Sequence, residues 1–210
     1  MSKDFHNVLT SAGYSPASGS SVPVSSLSCD SRTVEPGGCY IAVRGVNQDG
    51  HAYLADVIER GVAAIVCEDA SSVPAELASR VAWQIVDDSR EALGQLAQAW
   101  HGHPAKTLSI TGITGTNGKS TVAMVMNHIL QVAGLQSSVL GTIQYQTGKR
   151  VIAAAMTTPG ALDLAAMMAE MVEFGVTHLV MEASSHALDQ NRLAGLEFDV
   201  GVFTNLTGDH

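Results

Sequence analysis

The chain has 210 residues, 46% hydrophobic and 15% charged, which is enough for one large or two small domains and excludes an intrinsically disordered protein. Its formal net charge of −9 disfavours a surface that binds nucleic acid or an anionic membrane, so we expect neither partner. No run approaches the roughly 20 apolar residues of a membrane span and no signal-peptide core is evident, so the sequence predicts a cytoplasmic protein.

Residues 1–88 are predicted to form a small α/β domain with two polar loops. A short helix and a Ser/Gly/Pro-rich loop over 15–28 come first, and the later pattern predicts a helix at 52–60 and strands at 39–43, 63–67 and 82–86. The first polar loop, Cys29-Asp30-Ser31-Arg32, fits a capped turn and a ligand site equally well. The three cysteines are scattered, which favours reduced thiols over a disulfide or a zinc site: Cys29, Cys39 and Cys67.

Residues 89–210 are predicted to form the N-terminal part of a second α/β domain, with the boundary near Asp88. Ser89 is the expected N-cap of a helix over 89–100. Val122 and Ile129 are expected in the core stripe of a helix that runs from 119 to 133. The remaining pattern predicts strands at 138–143, 178–182 and 200–203, a hairpin at 144–155 and a helix at 161–174. This alternation predicts a parallel sheet with helices on both faces.

The stretch SITGITGTNGKST, residues 109–121, has the strand, glycine-rich turn and helix start of a phosphate-binding loop. Its glycines allow backbone N–H groups to converge, Lys119 adds a cation, and Ser120 adds a hydroxyl suited to Mg²⁺. Ile113 stands where the common pattern G-x-x-x-x-G-K-[ST] has its first glycine, so the strict pattern fails. The sequence nevertheless favours binding of nucleotide phosphates.

Other chemical groups are expected where strands of this sheet end, because parallel sheets bind ligands at the carboxyl ends of their strands. Glu182 ends an apolar strand, as an Mg²⁺-binding carboxylate does, although strand-end carboxylates are often only helix caps. The polar segment 205–210 follows another predicted strand of this sheet, 200–203. Arg192, two residues after Gln190, is either a surface charge or a group that binds phosphate or carboxylate. Ser184-Ser185-His186 predicts no hydrolase, since no G-x-S-x-G elbow is present.

Four ordered motifs resemble those of the Mur ligase family, whose members add amino acids to the peptide stem of the cell-wall precursor. The phosphate loop GTNGKS matches the family's G-T-N-G-K-[ST] loop. The other stretches point to the branch that adds the third residue: Cys29-Asp30-Ser31-Arg32, Thr157-Thr158-Pro159 and residues 182–188. The resemblance runs from about residue 24 to the last residue.

The resemblance implies an ATP-dependent ligase that joins a diamino acid, diaminopimelate or lysine, to UDP-MurNAc-L-Ala-D-Glu through an acyl phosphate. It implies catalytic roles for Lys119, Glu182 and His210, with Ser120 and Glu182 on one Mg²⁺ and His210 on a second. It implies ATP binding by Gly115, Thr116, Asn117, Gly118, Lys119, Ser120 and Thr121. It implies binding of the UDP-linked substrate by Cys29, Ser31, Val46, Asn47, Gln48, Thr157, Thr158, Ser184, Gln190 and Arg192.

Alternatives remain at this stage. Family members continue past the point where this chain stops, with a carbamylated lysine and a third domain that selects the amino acid, so we expect this chain alone to be inactive. A non-catalytic UDP-sugar or nucleotide-binding module is one rival, and a folylpolyglutamate-type ligase, which shares the loop, is another. A GTPase or small-molecule kinase is disfavoured, because the sequence has no guanine-reading N-K-x-D motif.

Overall fold

A computed structural model describes residues 2–17, 19–45 and 48–207. It divides into two compact units, Met1–Trp100 and His101–His210. Three residues with predicted roles, Val46, Asn47 and His210, lie outside the described part. Within that part, no helix has the length and apolar character needed to cross a membrane. The predicted class, α/β with parallel sheets, is confirmed.

The N-terminal unit contains a four-stranded parallel sheet of order β3-β4-β5-β6 and a two-stranded antiparallel ribbon, β1-β2. Helices α1 and α3 cover one sheet face and α2 the other, because successive strand residues point to opposite sides. The ribbon and β3 introduce strands into 15–28, which sequence analysis assigned to a loop. The elements are β1 Lys3–Asp4, α1 Phe5–Ser11, β2 Pro23–Val24, β3 Leu27–Ser28, β4 Cys39–Ile41, α2 Leu54–Glu59, β5 Ala64–Cys67, β6 Ala82–Ile85 and α3 Ser89–Trp100.

The boundary between the units lies after Trp100, whereas sequence analysis placed it near Asp88. The difference is helix α3, whose Ala92 and Leu96 are buried in the same core as α1. Its N-cap is also different from the one expected. The Asp88 carboxylate accepts from the backbone N–H groups of residues 90 and 91, at 2.8 and 3.0 Å. The Ser89 hydroxyl instead donates to the Glu68 carboxylate at 2.7 Å.

The second unit contains a six-stranded sheet of order β10-β9-β8-β11-β7-β12. Its strands β8, β11, β7 and β12 are parallel, and β9 and β10 form the antiparallel hairpin expected near 144–155. Helix α4 packs on one face and α5 on the other, as predicted. The elements are β7 Ser109–Thr114, α4 Lys119–Val132, β8 Ser137–Leu140, β9 Gln144–Gln146, β10 Val151–Ala153, α5 Ala161–Glu173, β11 His178–Glu182, α6 Ser185–Asp189 and β12 Val200–Phe203.

Helix α4 buries only part of the apolar stripe that was expected. Ala123 and Asn127 are buried against the sheet, and Val122 is partly buried, but Ile129 is 59% exposed, so its assignment to the core is wrong. Asn127 lies inward because its side-chain oxygen accepts from the Ser137 hydroxyl at 2.8 Å. The apolar residues of α4 extend around more of the helix than this unit covers, which periodicity alone does not reveal.

Candidate functional site

The predicted phosphate-binding loop, residues 114–118, joins β7 to α4 as expected. Gly115 and Gly118 have φ of +126° and +85°, conformations that side chains rarely adopt. The Lys119 ammonium lies within the loop and donates to the carbonyl oxygens of Gly115 and Thr116, at 2.7 and 3.1 Å. The first backbone N–H groups of α4 have no acceptor within the helix and carry its partial positive charge. The loop therefore concentrates donors and one cation at the carboxyl end of β7.

The segment that follows β12, residues 204–207, holds this loop in shape. The Asn205 carbonyl and side-chain oxygens accept from the N–H groups of Thr116 and Asn117, at 3.0 and 3.1 Å. The Thr204 hydroxyl donates to the Asn117 carbonyl at 2.7 Å. The approach is so close that a Cβ on Gly115 would lie 2.2 Å from the Thr204 hydroxyl oxygen. Sequence analysis noted the polar segment 205–210 but did not predict this supporting role.

Glu182 ends β11 beside the loop and is only 2% exposed. Its carboxylate accepts from the Thr142 backbone N–H at 2.8 Å and from the Thr142 hydroxyl at 3.2 Å. The Thr142 hydroxyl oxygen also lies 3.1 Å from the Thr157 hydroxyl oxygen, from which it can accept because its one proton is donated to Glu182. Gly141 permits this arrangement, because a Cβ there would lie 2.2 Å from the Glu182 carboxylate. Sequence analysis missed Gly141 and Thr142, although a Gly-Thr pair directly after a strand was available as a signal.

A cavity of about 1020 Å³ brings most of the predicted groups of this unit together. The predicted residues on its lining are Gly115, Thr116, Asn117, Gly118, Lys119, Ser120, Thr157, Glu182 and Ser184. Thr114, Thr142, His186, Phe203 and Leu206 complete much of the wall, so it combines polar donors with an apolar side. Thr121, Thr158, Gln190 and Arg192 are not on this lining.

Thr158 and Arg192 lie directly behind the cavity wall. The Thr158 side chain is 1% exposed, and its hydroxyl donates to the Glu182 carbonyl at 2.7 Å and accepts from the Ser184 N–H at 3.1 Å. The Arg192 guanidinium donates to the Thr158 carbonyl at 3.3 Å and to the Gln190 side-chain oxygen at 2.6 Å. These contacts join residues 156–158 to the turn after α6. Direct contact of these side chains with a substrate stays a prediction.

The donors at the cavity fit Mg²⁺ held jointly by protein and phosphate. Ser120 supplies a hydroxyl and Glu182 a carboxylate, the oxygen ligands that this cation prefers. Among the described residues, no cluster of three or more His, Cys, Asp or Glu side chains forms a cage for a metal. Mg²⁺ usually binds through one or two carboxylates, waters and substrate phosphates, so the two side chains are a sufficient protein share.

A second cavity, of about 450 Å³, lies in the N-terminal unit and unites three predicted residues, Cys29, Ser31 and Gln48. Arg32 closes its edge by a bidentate pair with Asp30, with N–O distances of 2.9 and 2.7 Å. Hydrogen bonds from the Arg32 side chain and backbone lower the pKa of Asp30 to about 2. The Arg60 guanidinium donates to the Ser31 carbonyl and fixes this turn from α2.

The lining of this cavity also contains Tyr40, Tyr53 and Gly50. The Tyr40 hydroxyl donates to the Gly50 carbonyl at 3.1 Å. Burial, aided by nearby acidic groups, raises the pKa of Tyr40 to about 12, so the phenol keeps its proton and remains a donor. Cys29, Cys39 and Cys67 form no disulfide, and Cys29 is the exposed one at the cavity.

Comparison with protein families gives two consecutive matches. Residues 23–101 match the Mur ligase family catalytic domain, and residues 113–210 match the Mur ligase middle domain. A UDP-N-acetylmuramoyl-L-alanyl-D-glutamate–2,6-diaminopimelate ligase of Geobacter metallireducens is 45% identical over 93% of this chain and 38% of its own length. The ligase of the same name from Parabacteroides distasonis is 43% identical over 90% of this chain and 38% of its own length. The chain thus spans about two fifths of these curated relatives.

Solved structures give the same fold. One titled as a UDP-N-acetylmuramoyl-L-alanyl-D-glutamate–2,6-diaminopimelate ligase has a TM-score of 0.76 at 23% identity, covering 100% of this chain and 42% of that one. A MurF ligase from Thermotoga maritima in complex with ADP has a TM-score of 0.53 at 21% identity, covering 85% and 37%. At these identities the structures support the fold alone.

Proposed function

The chain belongs to the Mur ligase family, and from this premise we propose that it acts in the ATP-dependent joining of 2,6-diaminopimelate to UDP-MurNAc-L-Ala-D-Glu. The observation that carries the proposal is the cavity of the second unit. Its lining includes Lys119, Ser120, Glu182 and Thr157. The named relatives supply the substrates. Their identity of 43–45% extends through both units of this chain.

The phosphate-binding loop is proposed to hold the β- and γ-phosphates of ATP. Lys119 and the first N–H groups of α4 are donors at the position where phosphate charge is concentrated. Ser120 and Glu182 are proposed to hold Mg²⁺, which supplies charge neutralisation between the phosphates when bound. Local cations are needed because the chain has a net charge of −9 and both reactants are anionic.

The reaction proposed for this site has two displacements. A carboxylate oxygen of the D-Glu residue attacks the γ-phosphorus, the bond to ADP breaks, and an acyl phosphate forms. The amine of the amino acid then attacks the acyl carbon, inorganic phosphate leaves, and the nitrogen loses its proton. The proposed role of Thr157 and Ser184 is to orient the carboxylate-bearing end of the substrate near the γ-phosphate, since both line the same cavity as the loop.

The cavity of the N-terminal unit is proposed to bind the uridine diphosphate end of the substrate. Its lining offers Ser31 and Gln48 as hydrogen-bonding side chains, with Arg32 as a nearby cation and Tyr53 as a partly exposed aromatic ring. Such a mixture suits a pyrimidine and its ribose, which need both stacking and polar contacts.

The test is an ADP-release assay with ATP, Mg²⁺, UDP-MurNAc-L-Ala-D-Glu and diaminopimelate, with the product identified by mass. The proposed function predicts that a ligase containing this chain's sequence releases ADP over many turnovers only when both substrates are present, because without the amine the reaction stops at the acyl phosphate. Calorimetry of the chain itself with UDP, ATP and GTP separates the rivals. Binding of UDP without binding of ATP would favour a non-catalytic uridine-nucleotide module, and preference for GTP would contradict the proposal.

A further inference from the structure

His51 occupies the centre of a buried network in the N-terminal unit. The residue is 8% exposed, and its ring contacts an acceptor on one side and a donor on the other. Nδ1 lies 2.6 Å from the Asp49 carboxylate, and Nε2 lies 2.9 Å from the backbone N–H of Glu68. A backbone N–H can only donate, so Nε2 must be unprotonated and the ring proton must be on Nδ1. The geometry therefore fixes one neutral tautomer.

This network joins the cavity wall to the sheet. Asp49 accepts from the His51 backbone N–H at 3.0 Å as well as from its ring. Glu68, directly after β5, accepts from the Ser89 backbone and hydroxyl at 2.9 and 2.7 Å. Arg44 lies between the two carboxylates, 3.1 Å from Glu68 and 3.6 Å from Asp49. The ends of the wall are thus tied to β5 and to the start of α3.

The tied residues Arg44 and Asp49 are chain neighbours of residues that face the second cavity. Gly50 donates to the Val43 carbonyl at 2.9 Å, and Gly45 donates to the Gln48 carbonyl at 2.8 Å. Gly50 cannot carry a side chain, since a Cβ would lie 2.8 Å from the Val43 backbone nitrogen. Val43, Gly45, Gln48 and Gly50 all line the cavity. A change in the protonation or position of the His51 ring would therefore be separated from the cavity lining by only one or two residues.

We propose that His51 is a positioning residue, whose neutral Nδ1–H tautomer holds the wall of the N-terminal cavity in the shape that takes a uridine nucleotide. This inference rests on the proposed function of that cavity. His51 is absent from the lining and acts through Asp49 and Glu68. Protonation of Nε2 places two N–H groups against each other, at His51 and at Glu68, and so removes the link to β5.

The charged groups that face the ring are the carboxylates of Asp49, Glu68 and Asp69, with the Arg44 guanidinium between the first two. Hydrogen bonds from the His51 backbone and ring lower the pKa of Asp49. Burial is the largest influence on Glu68 and raises its pKa, but hydrogen bonds from Ser89 and the charge of Arg44 outweigh it, so that pKa is lowered overall. Both carboxylates therefore stay ionised at neutral pH and in weak acid. Since the bound shape requires neutral His51, uridine-nucleotide affinity is expected to fall as the pH decreases.

The experiment uses the full chain and UDP supplied as UDP-glucose, whose esterified terminal phosphate keeps its charge in this range. Binding is titrated by calorimetry between about pH 8 and about pH 5, where histidines change charge. The unmodified chain is expected to bind UDP about tenfold more weakly at the acidic end. His51→Gln is expected to bind about tenfold more weakly than the unmodified chain at the alkaline end, with a flat pH profile. The matched control is His6→Gln on α1, whose ring contacts the Ser20 hydroxyl at 3.1 Å and which should keep the pH dependence of the unmodified chain.

A second readout needs no ligand and no variant. Histidine ¹⁵N spectra of the full chain distinguish the two neutral tautomers, and the proposal requires Nδ1–H at His51 near neutral pH. An Nε2–H tautomer, a flat pH profile in the unmodified chain, or undiminished affinity in a folded His51→Gln would each overturn it. If His51→Gln fails to fold, the pH profile and the tautomer of the unmodified chain decide. Absence of UDP binding at every pH overturns the ligand assignment of the cavity and the inference with it.

Discussion

Replacement of Glu182 by glutamine tests the metal-binding assignment with little change in shape. The buried carboxylate accepts from the Thr142 N–H at 2.8 Å, and a glutamine side-chain oxygen can accept the same bond. The second carboxylate oxygen, 3.2 Å from the Thr142 hydroxyl, becomes an amide nitrogen that can donate to it. The fold is therefore expected to survive, while the negative charge that a hard divalent cation prefers is lost.

The expected effect follows from the strength of a charged interaction. Loss of one such interaction costs about 2 kcal/mol, which weakens Mg·ATP binding roughly thirtyfold. At a ligand concentration of about 100 times the original Kd, stabilisation by ligand falls from about 2.7 to about 0.9 kcal/mol. For a chain of this size the difference corresponds to about 4–7 °C in Tm.

The assay is thermal unfolding with ATP, in the presence and absence of Mg²⁺, for the unmodified chain and the variant. The matched control is Glu173→Gln at the end of α5, an exposed carboxylate away from the loop cavity. The control should keep the full Mg²⁺-dependent increment. An equal increment in Glu182→Gln would refute the reasoning and would return this carboxylate to a purely structural role beneath Thr142.

Three further predictions concern the same cavity. Lys119→Met keeps the side-chain length but removes the ammonium, and calorimetry with Mg·ATP should show a loss of about 2–3 kcal/mol in binding free energy. Thr142→Val removes one hydroxyl donor to Glu182, so the Mg²⁺-dependent rise in Tm with ATP should decrease by the amount that corresponds to roughly fivefold weaker Mg·ATP binding. Thr142→Ser keeps the hydroxyl and should show the full rise. Gly115→Ala combines a φ of +126° with a Cβ 2.2 Å from Thr204, and urea unfolding should show a loss of about 1–3 kcal/mol.

Each of these changes has a control in the same unit. Lys149→Met at the hairpin should leave ATP affinity unchanged, and equal affinities for Lys119→Met and the unmodified chain would contradict the phosphate assignment. Gly134→Ala, at φ +83° with no atom within 4 Å of its Cβ, should cost less than Gly115→Ala. A Thr142→Val variant with the full Mg²⁺ response would show that the backbone N–H alone positions the carboxylate.

The phosphate-binding loop could be predicted because its strand, glycines and lysine are contiguous in sequence, so local rules suffice. The strand that ends at Glu182 could be predicted for the same reason, because its apolar residues are contiguous. Thr142 and Asn205 could not be found in this way, since their roles depend on neighbours 40 and 88 residues away. The sequence pattern names residues, but only the order of strands in the sheet places these partners side by side.

The errors have a common physical origin in long-range packing. The boundary near Asp88 failed because α3 buries Leu96 against α1, which no pattern within α3 indicates. The core assignment of Ile129 failed because periodicity gives an apolar arc and does not say which part meets the sheet. The cavity of the N-terminal unit was only partly predicted. Tyr40 and Tyr53 also line it, but they are distant from Ser31 in sequence, so no local motif includes them.

Hydrogen exchange of the full chain, with Mg·ATP and with UDP added separately, tests the assignment of two distinct nucleotide sites most directly. The account predicts that Mg·ATP protects backbone amides of residues 114–121 and 204–207, because the loop and its supporting segment tighten together. It predicts that UDP protects residues 29–32 and 43–50 instead. Protection by Mg·ATP confined to residues 29–50, or protection by UDP confined to residues 114–121, would contradict the account.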